Sequence, residues 1–198
     1  VGGCLPENKV IPMFSIVGSS NAGKTTLLEK LISALSQRGY RVGVIKHARH
    51  FQVDYPGKDS WRYREAGAAV VALASAREMA LMRRWEEEWT PREIARAIPD
   101  ADLIITEGYK WADLPKLEVC RGEDRECLQP QPGRLLARIS DQREDSDLPW
   151  FHLEDLAGLT EFIVERFLKD RPAGLCSKRE LTDSGRETGR CEENDEEG

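Results

Sequence analysis

The chain has 198 residues, 40% hydrophobic and 32% charged, an ordinary balance for a globular domain. One core hiding about 70% of the unfolded surface is within reach at this length, so one domain is expected. Twenty-nine basic against 35 acidic side chains leave a net charge of −6, which disfavours broad binding to nucleic acid, and the longest apolar runs, such as Ala68–Ala74, are far below the roughly 20 residues of a membrane span.

In chain order, residues 1–12 read as an extension, with no basic-then-apolar leader. Phe14–Val17 is a short apolar strand. A helix from Lys24 to Arg38 follows, with Leu27, Leu28, Leu31, Ile32 and Leu35 at helical spacing and Gly39 at its C-terminal cap. Arg41–Lys46 is a second strand, rich in β-branched residues. A polar loop, His47 to Asp59, turns at Pro56-Gly57. A short helix, Ser60–Ala66, leads into strand Ala68–Ala74, and Met79–Met82 returns as its hairpin partner. Thr90-Pro91-Arg92-Glu93 has the form of a capping box, opening a helix that ends before Pro99. Leu103–Thr106, Leu117–Cys120 and Leu135–Ile139 are further strands, and Asp155–Lys169 is a closing helix. This alternation predicts an α/β fold with a mostly parallel sheet sandwiched by helices, plus the hairpin. Residues 13–170 form the expected domain. Residues 171–198, acidic and nearly without large apolar groups, read as a disordered hydrophilic tail. Five cysteines, Cys4, Cys120, Cys127, Cys176 and Cys191, are odd in number and lack CxxC spacing, which fits a reducing cytoplasm better than a disulfide framework.

Between the first strand and the first helix lies Gly18-Ser19-Ser20-Asn21-Ala22-Gly23-Lys24-Thr25, a full G-x-x-x-x-G-K-[ST] phosphate loop. Its glycines let successive backbone N–H groups converge on an anion, and the helix N-terminus adds partial positive charge. Lys24 is placed to reach the β- and γ-phosphates, Thr25 to bind Mg²⁺, and Thr26 to reach the α-phosphate. The deviant loop, with a second lysine after the first glycine, is disfavoured because Ser19 stands there. Glu107, at the end of a parallel strand, is the candidate carboxylate of a Mg²⁺–triphosphate site.

The stretch from Lys46 to Arg64 concentrates charge in an acidic chain. Lys46, His47, Arg49, His50, Lys58, Arg62 and Arg64 gather near the end of the second strand, where they would attract an anionic ligand or partner. Asp54 and Asp59 are candidates for a carboxylate that touches Mg²⁺ or its water, Asp59 reading equally well as a helix cap. Trp61, Trp85, Trp89, Trp111 and Trp150 read as packing residues, with Trp85-Glu86-Glu87-Glu88-Trp89 able to dress an interface.

Three separated motifs occur in order. The phosphate loop comes first. Lys46-His47-Ala48-Arg49-His50 then leads to Asp54-Tyr55-Pro56-Gly57-Lys58-Asp59-Ser60-Trp61-Arg62, and Glu107-Gly108-Tyr109-Lys110 precedes Pro115-Lys116-Leu117-Glu118-Val119-Cys120-Arg121. Over residues 13–168 the chain resembles the molybdopterin-guanine dinucleotide biosynthesis protein B (MobB) family, although His50 to Asp54 is about one residue shorter than the usual pattern. The resemblance implies a SIMIBI-like P-loop fold and binding of GTP with Mg²⁺. It also implies an adapter role beside the nucleotidyltransferase MobA, which joins GMP to molybdopterin, together with weak GTP hydrolysis and a homodimer. On this reading Gly18 to Thr26 hold the nucleotide. Lys24, Asp54 and Glu107 carry whatever hydrolysis occurs, and Thr25, Glu107 and Asp54 face Mg²⁺. Lys46, His47, His50, Lys58, Asp59, Arg62 and Lys110 meet molybdopterin or MobA. By analogy Asp141, after the strand Leu135–Ile139, would read guanine. Two other functions suit such a loop: a small-molecule kinase drafting Asp54, Arg62 and Arg64, and a metal-delivery GTPase using His47.

Overall fold

A computed structural model describes residues 10–48, 50–122, 135–143 and 146–170. Residues 1–9 of the expected extension, Arg49, Cys4, Cys127, Cys176, Cys191 and the expected tail lie outside the described residues.

The chain runs β1 (Met13–Val17), α1 (Lys24–Gln37), β2 (Val42–Lys46), α2 (Asp59–Glu65), β3 (Val70–Ala74), β4 (Met79–Arg83), α3 (Pro91–Ala95), β5 (Leu103–Glu107), β6 (Lys116–Val119), β7 (Leu135–Ser140), β8 (Trp150–His152) and α4 (Leu156–Ile163). Six strands form one parallel sheet in the order β2-β5-β1-β6-β7-β8, and β3 with β4 forms a separate antiparallel hairpin. β1 is buried along its whole length, as a central strand covered on both faces must be.

Each face of the sheet has its own core. Phe14, Ile16, Leu103, Ile105, Leu117, Val119 and Ile139 pack on one side against Leu27, Leu28, Leu31 and Leu35 of α1 and Leu159 and Ile163 of α4. On the other side Met13, Ile45, Ile104 and Leu114 form a smaller cluster, which Ile94, Ala95 and Ile98 approach from α3 and the turn after it. Ser15 and Thr106, register partners in β1 and β5, join their hydroxyls at 2.6 Å in the buried sheet.

Local chemistry sets the ends of the elements. At α3 the capping box is complete: Thr90 Oγ1 accepts from Glu93 N, and Glu93 Oε2 accepts from Thr90 N at 2.8 Å. The helix ends at Ala95, shorter than the sequence pattern implies. Asp155 caps α4 by accepting from Gly158 N at 2.9 Å. The closing helix also departs from the sequence reading, because its last turns, Val164–Leu168, widen into a π-helix. Phe167, in that stretch, stacks on Phe14 of β1 with centroids 5.0 Å apart. β8 has no counterpart in the sequence reading, since three residues after a polar run are too few for a periodic signal.

The strand order places the ends of β1, β2, β5 and β7 along one edge. In a parallel sheet ligands sit outside the carboxyl ends of the strands, where connections depart in opposite directions. The phosphate loop leaves β1 at that edge.

Candidate functional site

The loop after β1 is shaped by its neighbour strand. Gly18 has φ +148°, and a Cβ there would run into the carbonyl oxygen of Val119 at the end of β6. Glycine is therefore required by both backbone conformation and space. Asn21 follows at φ 64° and Gly23 at φ 90°, left-handed turns that curl the chain before α1 starts at Lys24. Ala22 is buried beneath the curl.

The functional side chains meet above this loop. Lys24 Nζ donates to Ser19 O at 2.5 Å, so the lysine folds back across the mouth of the loop. Partial burial holds its ammonium below the usual lysine range. Glu107 pushes the other way, and Lys110 and Lys46 add to the lowering. Thr25 Oγ1 donates to Glu107 Oε1 at 3.1 Å, across 82 positions of sequence. The other carboxylate oxygen, Oε2, lies 3.4 Å from Lys46 Nζ. The sheet register produces this meeting: Glu107 is opposite Ile16 of β1 and Lys46 of β2, one row below the loop. Ser20 and Thr26 are exposed, Thr26 in the first turn of α1.

These residues fit a Mg²⁺–nucleoside triphosphate. The curled backbone presents N–H groups to an anion, Lys24 supplies an ammonium, and Thr25 and Glu107 stand together as oxygen donors. Mg²⁺ at phosphate sites commonly takes one or two protein ligands, the rest coming from phosphate and water.

The structure divides the remaining sequence candidates. Lys46 and His47 gather at the ends of β2 and β5, and Lys110 lies close enough to act on Lys24. Asp54 is buried at the start of α2, where its Oδ1 accepts from Tyr55 N and from Ser60 Oγ, each at 3.0 Å. It staples the preceding loop to that helix, and among the described residues its Oδ2 has no hydrogen-bond partner. Asp59 is the exposed first residue of α2 and pairs with Arg62 at 3.5 Å, while Lys58 holds the cap position. His50, Lys58 and Arg62 are exposed, and Arg64 is half-buried. Asp141 follows β7, and its Oδ2 accepts from Gly122 N at 3.2 Å, tying together the loops after β6 and β7. Ser140 Oγ donates to Gln142 O and receives the Trp150 indole N–H at 2.8 Å, which fixes the same turn.

Sequence reasoning named most of the next groups but none of their contacts. His47 Nε2 lies 3.1 Å from Glu88 Oε1, and its ring tilts over Tyr109 with centroids 4.7 Å apart. Burial and then the nearby Glu88 hold the Tyr109 phenol above its usual range. Glu118 is fully buried in β6 and pairs with Arg138 at 3.0 Å, and Lys116, also buried, donates to the carbonyls of Ala112 and Leu114. The sole sequence signal for Glu88 was its place between Trp85 and Trp89.

Comparison with known proteins decides the family. The family model described as Molybdopterin guanine dinucleotide synthesis protein B matches residues 13–141. The chain belongs to the MobB family. An Escherichia coli (strain K12) relative named molybdopterin-guanine dinucleotide biosynthesis adapter protein is 38% identical over 165 residues, covering 79% of this chain and 93% of the relative. The Haemophilus influenzae protein of the same name is 36% identical over 161 residues, covering 79% and 89%. Among solved structures, a molybdopterin-guanine biosynthesis protein B superimposes with a TM-score of 0.64 at 33% identity, covering 77% of this chain and 98% of its own. Bacillus subtilis MobB gives 0.64 at 28% identity, covering 79% and 98%. The MobB match includes the phosphate loop, Glu107 and Asp141, and no helix among the described residues is long and apolar enough to cross a membrane.

Proposed function

We propose that the chain is a GTP-binding adapter in molybdenum cofactor biosynthesis, serving the step in which GMP is attached to molybdopterin. The observation that carries the nucleotide half is the Thr25–Glu107 hydrogen bond directly above a complete phosphate loop. The adapter half rests on the family and on the names of the E. coli and H. influenzae relatives.

In this reading the amides of Gly18 to Thr26 bind the phosphates and Lys24 neutralises them. Thr25 and Glu107 hold Mg²⁺, which when bound supplies charge neutralisation on the phosphate oxygens. Lys24 already hydrogen-bonds at the loop mouth, so little reorganisation is needed for it to meet an anion. GTP hydrolysis is weak, because positioning and charge neutralisation are all that these side chains offer. Asp54 engages only its Oδ1, with Tyr55 N and Ser60 Oγ, and its Oδ2, unpartnered among the described residues, keeps it with Lys24 and Glu107 as a candidate for hydrolysis and for Mg²⁺. Asp141 reads guanine, whose N1–H and N2–H₂ donors suit one carboxylate. Lys46, His47, His50, Lys58, Asp59, Arg62 and Lys110 face molybdopterin or the nucleotidyltransferase MobA in the cytoplasm. One face of the hairpin exposes Val70, Leu81 and Met79, and we assign that apolar surface to a homodimer contact.

Parallel calorimetric titrations of GTP and ATP with Mg²⁺ test the base assignment. The parent chain should prefer GTP at least tenfold, and Asp141→Ala should lose most of the preference while retaining triphosphate binding. Equal affinity for the two nucleotides in the parent would remove guanine from the reading.

A further inference from the structure

His47 belongs neither to the phosphate loop nor to the Thr25–Glu107 pair, yet it is firmly placed. Its backbone N–H donates to Glu107 O at 3.0 Å. The bare Cα of Gly108 faces it so closely that an added Cβ would stand 3.2 Å from the His47 Cβ. Tyr109 takes φ 52°, a left-handed bend that accompanies the placing of its ring against the imidazole. Lys46, the preceding residue, reaches Glu107. The position is thus fixed by β2 and β5 together, with the Lys46 ammonium in the adjoining residue.

An anion already occupies it. Glu88 Oε1 lies 3.1 Å from His47 Nε2. Glu88 is carried by the loop after β4, which arches by stacking Trp85 on Trp89 at 5.1 Å and setting the Arg83 guanidinium 5.6 Å above the Trp89 ring. The contact is easily exchanged. The His47 and Glu88 side chains are 44% and 72% exposed, and an exposed pair of this kind contributes at most about 1 kcal/mol. A phosphate monoester brings nearly two charges and three acceptor oxygens to the same donors.

We infer that His47, with Lys46 beside it, is an anion subsite separate from the phosphate loop, that its ligand is a phosphate monoester, and that the Glu88 carboxylate holds the position as an internal competitor. This rests on the adapter reading, because it gives the second ligand of that adapter a contact of its own.

The test is calorimetric titration of phenyl phosphate into the full chain already saturated with Mg-GDP. Glu88→Gln should bind it at least threefold more tightly than the parent. Glu87→Gln removes the same charge from an exposed neighbour and should leave the affinity within the error of the measurement. His47→Gln should weaken binding, and in that background Glu88→Gln should give no gain. Equal effects of Glu88→Gln and Glu87→Gln would reduce the contact to bulk charge, and a gain that survives loss of His47 would place the ligand elsewhere; either result overturns the subsite. If the parent takes up no Mg-GDP, the nucleotide reading fails by itself. The same comparison on the chain without nucleotide then still decides the subsite.

Discussion

The two sheets of this molecule are built on opposite principles. In the six-stranded sheet every apolar group of β1 is covered by the chain's own helices and neighbouring strands, and the register aligns Glu107, Lys46 and the phosphate loop. In the β3–β4 hairpin the pattern is reversed: Val71 is buried, while Val70, Leu73, Met79 and Leu81 are exposed. A two-stranded ribbon is marginal alone in water, and contiguous exposed apolar surface marks a contact site. The first region is completed by its own chain and is suited to hold a small ligand rigidly. The second leaves an apolar face of Val70, Leu81 and Met79 exposed. His47 and the Glu88 loop lie where the two meet.

The sharpest contrast is energetic. Leu31→Ala, in the fully buried face of α1, should cost about 2–5 kcal/mol of unfolding free energy, measured by urea denaturation; a cost below 1 kcal/mol would mean the core is not packed as described. Gly18→Ala should cost about 1–3 kcal/mol and abolish nucleotide binding, since the new methyl meets the Val119 carbonyl and the backbone leaves its left-handed region. On the hairpin, Leu81→Glu should change single-chain stability by less than about 0.5 kcal/mol. If the proposed homodimer uses this face, the substitution should weaken self-association at least tenfold by sedimentation, and an unchanged association constant would take the hairpin out of that contact.

The smallest effect concerns α3, which covers the second face of the sheet. Hydrogen bonds from the Thr90 backbone and side chain hold the Glu93 carboxyl below its usual range. A carboxyl with a depressed folded pKa stabilises above its unfolded value, and the benefit disappears as pH falls through the folded value. The stability gap between parent and Glu93→Gln should therefore be present at neutral pH and close in acid. A gap that is constant with pH would mean the capping carboxylate contributes through shape alone.

Where periodicity or a compact motif was present, the fold was legible in the sequence. The leucines of α1, the Thr90 capping box, the apolar run of β5 and the glycines of the phosphate loop each state their structure locally. The hairpin was visible as two short apolar runs, although nothing local said that its apolar side would face outward. β8 was invisible because its three residues gain their order from pairing with β7. The π-helical stretch Val164–Leu168 after α4 was also missed, since Phe167 keeps a helical spacing in sequence whichever turn it occupies. In the site, Glu107 was legible as a carboxylate ending a buried strand. The two hydrogen bonds that Asp54 Oδ1 accepts from Tyr55 N and Ser60 Oγ were not legible, because they depend on how the loop before α2 folds back. The Glu88–His47 contact spans 41 positions, and no spacing rule could join them.

The proposed function requires the edge of the six-stranded sheet to bind a triphosphate through Lys24 and the turn before it. Calorimetric titration of GTP with Mg²⁺ into the parent and into Lys24→Ala tests it most directly. Losing a charge-assisted contact of this kind should weaken GTP by roughly a hundredfold, with the fold unchanged by circular dichroism. Undiminished affinity in Lys24→Ala, or no heat of binding in the parent, would leave the loop without a nucleotide.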